Sequence, residues 1–170
     1  MTLTLYIVDG YNVLHALFRG VDKEEIFARR DWLADRLASF AALRGAKAVL
    51  VFDGHGPQST SSVHIKGAPV EVCFAGGRFT ADTLIARRIA EQPADVAVVV
   101  VSADQEVQRT AARAGVSRMT PQELGVDLLG ADSRQALDSA QDSTRMLSRL
   151  EDKVDPETLR KLEEMRNKPQ

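Results

Sequence analysis

The chain has 170 residues, of which 44% are hydrophobic and 27% charged, with a formal net charge of −2. This is one domain's worth of chain, able to bury about two-thirds of its unfolded surface without disulfides or a structural metal. The charge excludes a uniformly basic polyanion binder, so any such contact must come from local patches. The longest apolar run, Val96–Val101, is far shorter than the about 20 residues of a membrane span.

The amino terminus shows no basic segment ahead of a long apolar stretch, so no signal peptide is expected. A lone cysteine, Cys73, excludes an internal disulfide and fits a reducing, cytoplasmic setting. Its flanks, VEVCFA, read as a strand, which makes it a packed thiol rather than a nucleophile.

In chain order, residues 3–8 (LTLYIV) are expected to form a central strand covered on both faces. The strand ends on Asp9, and Gly10 is expected to let the chain turn off it ahead of Tyr11 and Asn12. NVLHALF then forms a short helical turn. A long helix follows from the N-cap Asp22, with Glu25 at capping-box spacing and Gly45 as its stop. Ile26, Leu33, Leu37, Phe40 and Leu43 fall on one face of it.

Residues 48–52 (AVLVF) are the second buried strand, ending on Asp53. A small, polar, Gly- and Ser-rich loop leads into a hairpin edge, and residues 70–75 (VEVCFA) alternate as an edge strand does. GGRFT enters a helix with Leu84, Ile85 and Ile89 inward. Residues 96–101 are the most apolar strand, followed by Ser102-Ala103-Asp104 and the helix QEVQRTAARAG. A short strand near Val116–Met119 and a helix from Pro121 complete the domain. Strands alternating with helices predict an α/β fold with a mostly parallel central sheet and helices on both faces.

Residues 131–170 differ in character, being polar and helix-rich with 8 basic and 9 acidic side chains. Asp155-Pro156-Glu157 has the form of a helix start. Residues 1–130 are therefore read as the domain and 131–170 as a charged helical C-terminal extension, packed on the domain or binding a partner.

Parallel strands place their carboxyl ends at one edge, and ligands bind in the crevice outside it. Asp9, Asp53 and Asp104 each follow an apolar strand, and Asp82 opens the helix after Thr80. Each alone could be a helix cap or turn residue, but their correlated position predicts convergence. Two carboxylates about 5 Å apart repel by roughly 3 kcal/mol at an effective dielectric near 20, so such a cluster calls for raised pKa values or a bound cation. Oxygen-only ligation suits Mg2+ or Mn2+ better than zinc, and such an ion can direct water at a phosphodiester. Asn12 could hold an acid or a water in place, or only cap its helix. Ser102 and Thr80 could likewise orient carboxylates or cap.

VDGYNVLH, VLVFDG, FTADTLIARRIAE and VVVVSADQEVQRTAARAG, in this order over about residues 4–128, resemble the YacP-like NYN family of PIN-like bacterial ribonucleases. The resemblance implies a PIN/FLAP-nuclease-like three-layer fold and a metal-dependent acidic centre. It assigns Asp9, Asp82 and Asp104 to that centre with Asn12 beside them, and Asp53 to the acidic position after the second strand. It also implies RNA as substrate and, from part of the family, messenger RNA on the ribosome.

RNA would approach such a centre through positive surroundings, for which Arg78, Arg87, Arg88 and Lys66 are the candidates. Each could equally be a solvated surface charge. The loop from Gly54 to Ser62 could close over single-stranded RNA, and His55 lies two residues after Asp53. Aromatic residues make up 5% of the chain and fall mostly at core positions, so base recognition by stacking is not expected. Tyr11 is the exception, placed either to stack on a base or to pack under the loop.

The functional expectation is a metal-dependent endoribonuclease, with no small-molecule cofactor beyond the metal. The alternative is an RNA- or ribosome-binding protein that keeps the fold without catalysis. A haloacid-dehalogenase-like phosphatase would need Asp where this chain has Tyr11, and a dinucleotide-binding enzyme would need a glycine fingerprint that is absent. A flap nuclease would need more chain for its helical arch.

Overall fold

The computed structural model describes residues 2–20, 22–54 and 60–130; residues 131–170, with the expected helix start at Asp155, lie outside these, as does His55. In chain order the elements are β1 (Thr4–Asp9), α1 (Gly10–Leu17), α2 (Lys23–Leu43), β2 (Lys47–Asp53), β3 (Ser61–His64) and β4 (Val70–Ala75). They continue with α3 (Ala81–Ala90), β5 (Ala97–Val101), α4 (Gln105–Arg113) and β6 (Ser117–Met119), and residues 121–130 form a further helix, α5.

The sheet runs β3-β4-β2-β1-β5-β6. Every neighbouring pair is parallel except β3, which lies antiparallel on the outside of β4. β4 is therefore an interior strand rather than the expected edge, with β2 on one side and β3 on the other. Its alternation reflects two differently covered faces, and the polar tetrapeptide of β3 takes the exposed edge, where charge and polarity guard against stray pairing.

Neighbouring residues of the central strands feed opposite cores, which is why their sequences read as unbroken apolar runs. Val8, Leu50 and Phe52 pack with Leu14, Leu33, Leu37 and Phe40, together with Leu124 and Leu128 of α5. Ile7, Val49 and Val51 pack against Leu84, Ile85 and Ile89 of α3 and Val107 and Ala111 of α4. Each large apolar side chain so buried contributes about 1.5–3 kcal/mol. The result is a three-layer α/β domain with helices on both faces of a mostly parallel sheet. No described helix is long and apolar enough to cross a membrane.

Local signals explain the element ends. Asp22 Oδ1 accepts the Glu25 amide at 2.8 Å, but Glu25 turns outward to pair with Arg29 at 2.7 Å, so only one arm of the capping box forms. At the other end Gly45 takes φ 59°, and the Ala46 amide donates back to Ala41 at 2.9 Å. The apolar stripe of α2 stops at Phe40. Leu43 is 61% exposed, because it is the last helical residue before the chain reverses into β2.

Gly10 is needed for a different reason from the one its position predicts. It is the first residue of α1 and has no positive φ. A Cβ there would lie 2.2 Å from Cε1 of the buried Phe52 ring, so the glycine permits close approach rather than a turn. Gly10→Ala should lower stability by about 1–3 kcal/mol through overpacking. Urea denaturation followed by circular dichroism would read this as a reduced midpoint with an unchanged slope.

Candidate active site

The strand order reverses direction at β1. The chain leaves β1 towards β2 and β4, returns to β5 on the other side, and continues outward to β6. The carboxyl ends of β1 and β5 therefore flank the topological switch point, where doubly wound sheets bind ligands. Asp9 ends one of these strands, and Ser102, Ala103 and Asp104 follow the other.

Asp9 is the N-cap of α1 and is 6% exposed. Its Oδ1 accepts the Asn12 amide at 3.2 Å, while Oδ2 accepts Asn12 Nδ2 at 3.0 Å and Ser102 Oγ at 3.2 Å. Asn12 Oδ1 in turn accepts the Ala103 amide at 2.9 Å, and the fully buried Ser102 Oγ accepts the Asp104 amide at 3.0 Å. Asp9, Asn12, Ser102 and the backbone of 103–104 thus form one network that clamps β1 to the exit of β5. Burial, opposed by these hydrogen bonds and reinforced by Asp82 and Asp53, raises the Asp9 pKa from 3.8 to about 6.

The remaining acids combine capping with convergence. Asp53 Oδ1 accepts the Ala81 amide at 2.7 Å, so the end of β2 holds the first turn of α3. Asp104 Oδ1 accepts the amides of Glu106 and Val107 at 2.8 and 3.2 Å as the N-cap of α4. Asp82 is exposed in the first turn of α3, where partial burial and then the charges of Asp104, Asp53 and Glu106 raise its pKa. Glu106 is a fifth acid that sequence reasoning passed over, although it stands in the same SADQE segment as Asp104. Thr80 caps α3 through the Thr83 amide at 3.3 Å.

Asp9, Asp53, Asp82 and Asp104 are therefore brought to one rim and linked electrostatically. Among the described residues no three His, Cys, Asp or Glu side chains stand together as a ready-made ligand cluster. The donor set is nonetheless all oxygen. That suits a hard ion such as Mg2+, which retains several waters and takes only one or two carboxylates.

The basic candidates separate. Arg78 is exposed in the turn between β4 and α3, at the same edge as the acids. Arg87 pairs with Glu91 at 2.7 Å. Arg88 pairs with Glu71 at 2.5 Å and donates to the Cys73 sulfur at 3.4 Å. Burial and Glu71 push the Cys73 thiol up to about 11, which keeps it protonated. Lys66 lies in the β3–β4 turn, at the opposite edge of the sheet.

Tyr11 packs its ring against Phe27 and Phe52 at centroid distances of 5.9 and 5.1 Å, in edge-on contact. Arg30, not singled out from the sequence, lies beside the Tyr11 hydroxyl and over Phe27 and Phe74. A cavity of about 790 Å³ lies at the far edge between the ends of α3 and α4, lined by Ile89, Val98 and Arg113. A second, of about 680 Å³, opens beside Ser102 and Ala103 and extends to Arg118 and Glu123.

The raised Asp9 pKa has a definite sign for stability. The folded state holds its proton more tightly than the unfolded state, so stability is lost as pH rises through the interval from 3.8 to about 6. The loss approaches roughly 3 kcal/mol. In EDTA, the stability of Asp9→Asn relative to the parent chain should rise by this order between pH 4 and pH 7. Paired urea titrations check it, and parallel pH profiles would refute it.

Comparison with known proteins agrees with this architecture. Two crystal structures of Rae1 (YacP) from Bacillus subtilis share the fold. One, of a tryptophan-to-leucine mutant, matches with a TM-score of 0.70 and 22% identity over 84% of this chain and 85% of that one. The other matches with a TM-score of 0.67 and 24% identity over 98% and 95%. Among curated proteins no sequence relative matches. The family profile described as the YacP-like NYN domain matches residues 6–167, extending past the point near residue 128 where the motif resemblance stops. The chain belongs to the YacP-like NYN domain family, with a PIN-like, nuclease-type domain.

Proposed function

We propose that this protein is a metal-dependent endoribonuclease that hydrolyses phosphodiester bonds of RNA in the cytoplasm. One observation carries the reading: Asp9 is buried at the switch point with a raised pKa, among the charges of Asp53 and Asp82. A carboxylate destabilised in this way has a use if a cation discharges it.

Asp9, Asp53, Asp82 and Asp104 are the residues that would hold Mg2+ or Mn2+. When bound, the ion would offset the acids' repulsion and stabilise charge developing on the phosphoryl oxygens. Asn12 and Ser102 fix the Asp9 carboxylate in one orientation, a role whose loss typically costs 10–100-fold in metal affinity or activity. Asp82 is exposed, with its pKa raised by partial burial and then by Asp104, Asp53 and Glu106, and its carboxylate oxygen would accept a proton from an attacking water.

Substrate attraction falls to Arg78, the exposed cation of the rim, rather than to Arg87 and Arg88, which their own carboxylates engage. Arg78→Ala should weaken single-stranded RNA binding and reduce the salt slope by about one phosphate contact. Arg88→Ala should instead lower stability, because it leaves Glu71 partly buried without its partner. Binding isotherms at two salt concentrations and melting curves separate the two.

The decisive experiment is cleavage of end-labelled RNA with Mg2+ or Mn2+, compared with Asp9→Asn. Loss of about 100-fold or more is expected in the variant, together with loss of Mn2+ binding by calorimetry. Both carboxylate oxygens of Asp9 are already engaged by Asn12 and Ser102, which favours a second reading, RNA binding without cleavage. Equal behaviour of the parent and variant proteins, with intact RNA in both, would establish that reading instead.

A further inference from the structure

Of the nine aromatic residues, six Phe, two Tyr and one Trp, all but one have a ring or cation partner among the described residues. Phe18 contacts Trp32, Phe40 contacts Tyr6, and Phe27, Phe52 and Phe74 join the group around Tyr11 and Arg30. Phe79 has none there and is 45% exposed. A single exposed apolar residue is ordinary on a protein surface. The setting of this one is not ordinary.

Phe79 lies in the turn between β4 and α3, beside exposed Arg78 and three residues before Asp82. Its Cα is thus within about 11 Å of that of Asp82. The turn is anchored on every side. The Phe79 amide donates to Gly76 O at 3.3 Å, and Gly77 takes φ 68°. Thr60 Oγ1 donates to Gly76 O at 3.3 Å and accepts the Gly76 amide at 3.4 Å. Beyond the turn, the Gly54 amide donates to Ala75 O at 2.6 Å, and the Ala81 amide is held by Asp53. The turn, held at Gly76 and Ala81, thus carries a half-exposed aromatic ring and an adjacent exposed guanidinium near the edge of the acidic centre.

We propose that Phe79 is a stacking platform for an unpaired base of single-stranded RNA, with Arg78 on a neighbouring phosphate. This rests on the reading of the acidic rim as a site acting on RNA. An aromatic face accepts any base, while a guanidinium beside it supplies charge without sequence information. The platform therefore selects single strands over duplex, whose bases are already stacked, and does not select sequence. It orients the strand across Asp82 and is a substrate-binding element, not a catalytic residue.

The test is fluorescence anisotropy in EDTA with labelled oligoadenylate and with an abasic oligomer of the same length. Phe79→Ala and Phe79→Leu should bind oligoadenylate roughly 5- to 150-fold more weakly than the parent chain. Phe79→Trp should bind at least as tightly as the parent, and the abasic oligomer should be insensitive to all three substitutions. Unchanged melting temperatures would show that the exposed ring is not needed for folding. Oligoadenylate affinity in Phe79→Ala within about twofold of the parent would overturn the proposal, as would equal parental affinity for the two oligomers. Cleavage by the parent chain in Mg2+ or Mn2+, run alongside, separates the two readings. Ring-dependent binding without cleavage removes the nuclease reading alone, and cleavage with ring-independent binding removes the platform alone. No binding of either oligomer by the parent chain would remove both.

Discussion

The hydrogen bonds from Asn12 and Ser102 to Asp9 hold the site together. They join residues as far apart as 93 positions in the chain, and they do so at the point where the sheet changes direction. An isolated carboxylate at 6% exposure would be expensive to ionise. Three donors on Asp9 offset part of that cost and leave a pKa of about 6. The remainder is tension stored in electrostatics rather than in backbone geometry. Among the described residues no non-glycine has positive φ and no peptide bond is cis.

Capping and site formation are the same act in this protein. Asp9 starts α1, Asp104 starts α4, and Asp53 reaches across to the first turn of α3. The choice between cap and functional acid was therefore a false one. Helices that follow parallel strands begin at the carboxyl edge, so acids that satisfy their first amides are delivered to that edge as a consequence. Aligning helix N-termini there also places partial positive charge behind the cluster. That charge offsets part of the repulsion among the convergent acids.

Much of this was legible in the sequence. Unbroken apolar runs marked the strands, Asp22 and Gly45 bounded α2, and alternation of elements predicted the parallel sheet. Other features failed for physical reasons. The alternation of β4 suggests an edge strand, but the hairpin edge expected just before it, the polar β3, takes that place instead. Gly10 was explained by turn geometry because the Phe52 ring that crowds it is 42 positions away in the chain. The pairing of Arg88 is hidden because its partner Glu71 sits on another element, and the exposure of Phe79 is hidden because hydrophobicity says nothing about cover.

The sequence by itself determined the periodicity, the caps, the order of elements and hence the family of sheet they form. These depend on residues within a turn or two of one another, and such separations are written in the chain. The tertiary structure decided which acids sense one another, that Ser102 orients Asp9, which arginines are paired by their own carboxylates, and which aromatic ring is left half-exposed near the rim. Coulomb coupling and burial depend on distance through space, and strand order rather than sequence separation sets that distance.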